Sequence, residues 1–183
     1  MKLKFPMYAT LQGNVQVELD VMQPHEQEMV RALLNEIIEA GQTYPQDHAL
    51  SAVEFAAYWM SHSAFVVRAV GQIPLLTHQK ILGAFFIKPN FPGRCSHISN
   101  AGFIVHPAAR GWGIGRWMGE TMLKIAHHQG YRAVMFNLVF STNLPSINLW
   151  KSLGFETIAR LPQAAHLKDG TVADALMMYR SLP

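Results

Sequence analysis

Cysteine is almost missing from this sequence: Cys95 stands alone among 183 residues. A lone thiol cannot close an intrachain disulfide, so a small secreted fold stapled by cystines is excluded. Charge is sparse as well, with Asp, Glu, Lys and Arg at 15% and hydrophobic residues at 50%. That balance is too apolar for a disordered chain and rich enough for a sizeable core. Lys and Arg are scattered and net charge is only +3, so there is no nucleic-acid footprint. No apolar run reaches membrane-spanning length. The first residues, MKLKFPMYATLQG, are too short and too polar after Met7 for a signal peptide. The expectation is a soluble cytoplasmic chain, one domain over residues 1–183, with neither nucleic acid nor membrane as partner. The scarcity of charge leaves room for apolar surface buried against a second copy.

Hydrophobic periodicity supplies the elements. Asn14 to Val21 alternates as a half-buried strand. Pro24 opens a helix with Met29, Leu33, Leu34, Ile37 and Ile38 on its apolar face, and Gly41 ends it. GQTYPQDH, from Gly41 to His48, has no core pattern and reads as a loop. A second helix is expected from about Leu50 to His62, burying Phe55, Ala56, Trp59 and Met60. Strands follow at Phe65 to Val70 and Ile81 to Ile87, around a loop at Gly71 to His78. KPNFPGRCSH is a turn-rich excursion, and Ile98 to Val105 returns to strand. A long helix from about Gly113 to His128, a strand at Arg132 to Phe140 and a helix begun by Pro145 come next. The chain closes with a strand to about Ala159, a loop at Leu161 to Gly170 and a strand at Val172 to Arg180, at or near an edge. The result is an α/β mixed sheet without repeats. A doubly wound dinucleotide fold is excluded, since its glycine fingerprint would sit in an early strand–helix–strand unit.

One stretch carries chemistry. A buried strand at Gly102 to Val105 runs into Arg110 and a turn with Gly111, Gly113 and Gly115, and a helix follows. Glycines let a ligand approach the backbone, and helix-start amides with the helix dipole attract a phosphate. Arg110 and Arg116 can add charge-assisted hydrogen bonds. No Gly-Lys-Ser/Thr ending follows, so a pyrophosphate held without an obligatory metal fits better than a nucleoside triphosphate. A tight turn used only for packing is the alternative. Asn137, an amide inside the apolar FNLVF, must find partners if buried, as a bulge, a structural amide or a ligand contact.

The turn resembles the acetyl-coenzyme A motif of the GCN5-related N-acetyltransferase superfamily. That motif is Arg or Gln, two residues, Gly, one residue, then Gly or Ala, and Arg110-Gly111-Trp112-Gly113-Ile114-Gly115 matches it in full. The segment from Asn143 to Phe155 is similar to the family's second cofactor segment. GQTYPQDHAL, IKPNFPGRCSH, SNAGF and FNLVFSTN resemble, more narrowly, the fungal acetyltransferases of azetidine-2-carboxylate and related proline analogues. The resemblance implies the acyl-CoA N-acyltransferase fold, a central mixed sheet flanked by helices. It implies acetyl transfer from acetyl-CoA to the nitrogen of a small amino or imino acid, by direct attack in a ternary complex. Another small amine, or coenzyme A binding with little turnover, is the alternative. Pairing into a homodimer is implied as well.

The resemblance also assigns residues. The turn Arg110, Gly111, Trp112, Gly113, Ile114, Gly115 and Arg116 would bind the cofactor, as would Asn143 and Trp150. A backbone amide near Phe103, Ile104 or Val105 would polarise the thioester carbonyl. Asn100 and Asn137 match asparagines that recognise the acceptor, and Thr43 and Tyr44 would line its cavity. Asn137 and Asn143 are the catalytic candidates. Many superfamily members place an acidic tyrosine where Trp150 stands, and an indole N–H is no practical acid. His97, His106, Asp47, His48 and Tyr44 are base candidates by type alone. A Cys95–His97 nucleophile lacks an orienting third group. No metal is expected, since the adjacent His127 and His128 point apart on a helix.

Overall fold

A computed structural model describes residues 3–71 and 81–183 of the chain. Among them, eight strands and four helices follow in order. They are β1 (Met7–Leu11), β2 (Val15–Val21), α1 (Gln27–Ala40), α2 (Ala52–Trp59), β3 (Ser63–Ala69) and β4 (Ile81–Pro89). Then come β5 (Ile98–Val105), α3 (Ile114–His128), β6 (Ala133–Phe140), α4 (Leu144–Ser152), β7 (Glu156–His166) and β8 (Val172–Ser181). The strands form one mixed sheet in the order β1-β2-β3-β4-β5-β6-β8-β7.

Alternation along the central strands divides the core in two. In β3 and β4 the apolar residues run on with no polar gap, as in strands covered on both faces. Ala64, Val66, Ala84 and Phe86 turn to one face, where α1 and α2 bring Leu33, Leu34, Phe55 and Trp59. Phe65, Val67, Phe85 and Ile87 turn to the other, under Met118 and Met122 of α3 and Trp150 of α4. Each such large side chain contributes about 1.5–3 kcal/mol on burial.

The β5–β6 junction differs from the rest of the sheet. It is the one parallel pairing among the described residues, and it holds only at Ile98↔Ala133 and Ser99↔Val134. Beyond those residues the two strands leave the ladder, and a cleft opens between them.

Most expected elements are present, with informative exceptions. β1 was not expected. It is a short edge strand whose outward residues include Tyr8, 66% exposed, so its apolar signal is weak. The second helix is shorter than expected. Ser51 caps it, accepting from the Glu54 amide while the Ser51 amide donates to the Glu54 carboxylate. Ala56 points to solvent, not to the core. β7 continues to His166, through residues that read as loop. It tolerates Pro162 because it is the edge strand and because its register with β8 shifts between Leu161 and Ala165. β8 therefore lies one strand inside that edge. The loop expected at 71–78 lies, but for Gly71, outside the described residues.

Candidate active site

Backbone parity fixes what the cleft presents. The His106 amide donates to the Leu82 carbonyl and the Asn90 amide to the Ile98 carbonyl. Even-numbered residues of β5 therefore hydrogen-bond to β4, and Ala101, Phe103 and Val105 turn their backbone groups toward β6. With β6 diverging, the amides of Phe103 and Val105 face the cleft. The Ala101 amide is taken by the side-chain oxygen of Asn100, at 2.7 Å.

A cavity of about 480 Å³ occupies this opening. Thr43, Tyr44, Asn100, Phe103, Ile104, Val105, Arg110, Gly115, Asn137, Asn143 and Trp150 all line it, although they come from five separate segments. Arg110 is the only charged residue among its described lining. Gly111, Trp112, Gly113, Ile114 and Arg116 do not line it; they build the helix start at its rim.

That rim is a donor site. Gly113 caps α3 with φ 89°, a left-handed conformation that is strained for any residue with a Cβ. The first intrahelical bond runs from the Trp117 amide to the Gly113 carbonyl, so the amides of Ile114, Gly115 and Arg116 precede the ladder. No described side chain caps them, and no acidic residue lies in the first turn. The exposed Arg110 forms no ion pair with a described residue. Arg116 is occupied, with its guanidinium 3.3 Å from Glu120 and donating to Ser152 at 2.8 Å. Trp112 packs against the core, and its carbonyl accepts from the Gln12 amide.

The opposite end of the cleft is neutral and polar. The Tyr44 hydroxyl donates to the Phe103 carbonyl at 3.0 Å. Burial holds its pKa well above the ordinary tyrosine range, with Tyr58 adding to the rise, so it remains a donor. Asn137 sits where the β6–β8 register shifts between Phe136 and Val139. The bulge releases its amide from the strand's alternation. Its carboxamide pairs with that of Asn90 in both directions: Asn90 Nδ2 to Asn137 Oδ1 at 2.9 Å, and Asn137 Nδ2 to Asn90 Oδ1 at 2.7 Å. Asn90 was not among the expected site residues.

Asn143 caps α4, its side-chain oxygen accepting from the Ser146 amide at 3.3 Å. Trp150 is buried among aromatics, its ring centroid 4.8 Å from Phe103 and 4.5 Å from Phe136. It is therefore a packing residue on the cavity floor. The other candidates scatter. His106 caps its own turn, accepting from the Ala108 amide. His97 and Cys95 are exposed, and His48 pairs at the surface with Asp47 and Glu54. None of these lines the cavity. Among the described residues, no three His, Cys, Asp or Glu side chains gather to hold a metal ion. No helix among them is long and apolar enough to cross a membrane.

These features match known proteins. The model of the acetyltransferase (GNAT) family matches residues 31–155. N-acetyltransferase aca1 of Schizosaccharomyces pombe is 39% identical over 158 residues, covering 80% of this chain and 76% of that protein. The structure of a GCN5-related N-acetyltransferase from Kribbella flavida superimposes with a TM-score of 0.82 at 30% identity, covering 91% and 98% of the two chains. YncA, a putative acetyltransferase from Salmonella typhimurium solved with its cofactor acetyl-CoA, shares the fold at a TM-score of 0.79 and 19% identity, over 91% and 94%.

Proposed function

The chain belongs to the acetyltransferase (GNAT) family, whose cofactor is acetyl-CoA, and we propose that it acetylates the nitrogen of a small amino or imino acid, a proline analogue such as azetidine-2-carboxylate. The observation that carries this reading is the cavity lining. Beyond Arg110 at the rim it holds no charged side chain, and its inner polar groups are amides and hydroxyls. A pocket for a cationic amine such as a lysine side chain or a polyamine would place carboxylates there. Neutral donors and acceptors suit a compact molecule that carries both a nitrogen and a carboxylate.

The residues present fit the cofactor. The free amides of Ile114, Gly115 and Arg116, with Arg110, would hold its pyrophosphate. Val105, Val139, Pro145 and Leu149 give its arm an apolar course along the cleft. When bound, the cofactor supplies an activated acetyl thioester. The cleft-facing amide of Phe103 or Val105 is a fixed donor for a carbonyl oxygen that gains negative charge. Tyr44, bonded to the Phe103 carbonyl, holds that peptide in place. Asn100 and Asn137 orient the acceptor nitrogen. Trp150 stays out of proton transfer, because its ring is packed and an indole N–H is not acidic. Asn143 is the group beside α4 that can hold a water in its place.

Residence in the cytoplasm and pairing into a homodimer belong to the same proposal. Leu138 and Ile158, 41% and 52% exposed, stand at matching register shifts on either side of β8. Both are exposed apolar side chains that a second copy would cover.

The test is coenzyme A release with azetidine-2-carboxylate, hydroxyproline isomers and simple amines. Turnover concentrated on the carboxylate-bearing cyclic amines supports the reading. Equal turnover of azetidine, which lacks the carboxylate, would overturn it.

A further inference from the structure

Asn90 and Asn137 lie 47 positions apart, yet their carboxamides form a closed pair of hydrogen bonds, at 2.9 and 2.7 Å. Both are half-buried. Asn137 lines the cavity and Asn90 does not. The main chain of Asn90 is itself anchored, since its backbone N–H donates to the Ile98 carbonyl at 2.8 Å and closes the turn after β4.

The pair restricts what Asn137 can offer. A carboxamide has two N–H donors and two acceptor positions on its oxygen. The closed pair consumes one of each. What remains is one N–H and one oxygen lone pair. A single Asn137 cannot reverse its amide without setting oxygen against oxygen and nitrogen against nitrogen. Unpaired, on a bulge outside the strand ladder, the same amide would turn independently; paired, it reverses only if the Asn90 carboxamide reverses with it.

We propose that Asn90 is a positioning residue for the acceptor: by holding the Asn137 carboxamide in a closed pair, it fixes where that amide sits and leaves one N–H and one oxygen lone pair to meet the acceptor's carboxylate and nitrogen. The inference rests on Asn137 being an acceptor contact. It needs no contact between Asn90 and the acceptor.

The test is a double-mutant cycle with azetidine-2-carboxylate and acetyl-CoA. Asn90→Ala should raise the acceptor KM about five- to tenfold, the cost of loosening one neutral hydrogen-bonded group, and leave the acetyl-CoA KM unchanged. Asn90→Asp keeps the shape of the turn but its carboxylate cannot donate to Asn137 Oδ1, so it should raise the acceptor KM alike. It also keeps the test open if the alanine variant folds poorly. In an Asn137→Ala background, Asn90→Ala should add nothing. The side-chain amide signals that vanish in Asn137→Ala should shift in Asn90→Ala, which reads the pair without any turnover. If Asn137→Ala raises the acceptor KM and Asn90→Ala does not, the positioning role is overturned while the acceptor reading stands. An undiminished Asn90→Ala effect in the Asn137→Ala background also overturns it. If Asn137→Ala itself leaves the acceptor KM unchanged, the acceptor reading fails and the inference falls with it.

Discussion

At the rim of the cleft, Ile114, Gly115 and Arg116 bring consecutive backbone amides to one point. At its inner end, Tyr44, Asn90, Asn100 and Asn137 come from a loop, a turn and two strands. The first site is made of main chain and is set by one local conformation, the positive φ of Gly113. The second is made of side chains and exists only once the sheet has formed. In the proposed function the family's common cofactor meets the local site, and the acceptor meets the assembled one. A cofactor site built this way tolerates drift elsewhere in the chain, whereas an acceptor site depends on every segment that contributes to it.

The largest expected effect should fall on both ends together. Arg68 holds the buried Glu26 through two bonds, at 2.5 and 2.8 Å, and reaches Glu18 at 3.1 Å. Arg68→Met strands the Glu26 carboxylate and should cost about 3 kcal/mol in denaturant unfolding. Burial by itself pushes the Glu26 pKa up, but the Arg68 hydrogen bonds, the Gln23 amide and nearby positive charge bring it below the ordinary carboxylate value. A lowered folded-state pKa stabilises above the unfolded value and is lost as pH falls through the folded one. The share of stability that Glu26 contributes should therefore begin to fall as pH drops through the ordinary carboxylate range, and Arg68→Met should remove that part of the acid transition. A loss confined to one substrate's KM would break the comparison.

Arg110→Ala should separate the ends. Losing a charge-assisted hydrogen bond costs about 1.5–3 kcal/mol, so coenzyme A affinity by calorimetry should fall about ten- to a hundredfold. The acceptor KM should hold. Equal losses for both substrates would mean that the ends are not independent.

Trp150→Phe comes next in size. Trimming a buried ring that packs on Phe103, Phe136 and Phe155 should cost about 1–2 kcal/mol in thermal unfolding. With kcat within about twofold of wild type, the indole is confirmed as packing. A tenfold fall in kcat at an unchanged melting temperature would assign it a part in the chemistry.

The contrast between the ends also explains what could be read from the sequence. Arg110 and the glycine spacing were legible because backbone conformation is encoded locally. Asn137 was legible as a polar residue in an apolar strand, with a bulge among its explanations, but the choice among them was not, because the register shift depends on Met178 and Leu176 of β8. Asn90 gave no signal. An asparagine beside Pro89 and Pro92 reads as a turn former, and its partner is distant in the chain. The extension of β7 was hidden for a related reason. Pro162 and Gln163, the latter with φ 51°, carry the signature of a loop. The edge strand accommodates them because Asp174 on β8 accepts from the Gln163 amide at 2.8 Å. β3 and β4 needed no such context, since an unbroken apolar run of strand length already marks a strand covered on both faces.

Tyr44→Phe should give the smallest effect, and the one that best locates the boundary between the ends. The tyrosine belongs to the loop at the inner end, but its hydroxyl bonds the carbonyl of Phe103, on β5, the strand that runs on toward the rim. Removing a neutral hydrogen bond costs about 0.5–1.5 kcal/mol, so kcat should fall about three- to tenfold. Neither KM should move as much, because the bond holds a strand and no ligand. The raised pKa keeps the hydroxyl protonated through the neutral range, and its contribution is lost only as pH rises through the folded value. The ratio of wild-type to variant kcat should therefore be flat from pH 6 to 9, roughly the span below the ordinary tyrosine pKa. A change in that ratio near neutral pH would make Tyr44 a proton-transfer group. A rise in the acceptor KM alone would place it wholly at the inner end. A fall in kcat without either would mean that the Phe103 peptide, held from the acceptor side, serves the donor's carbonyl, and that the two ends meet at this one hydrogen bond.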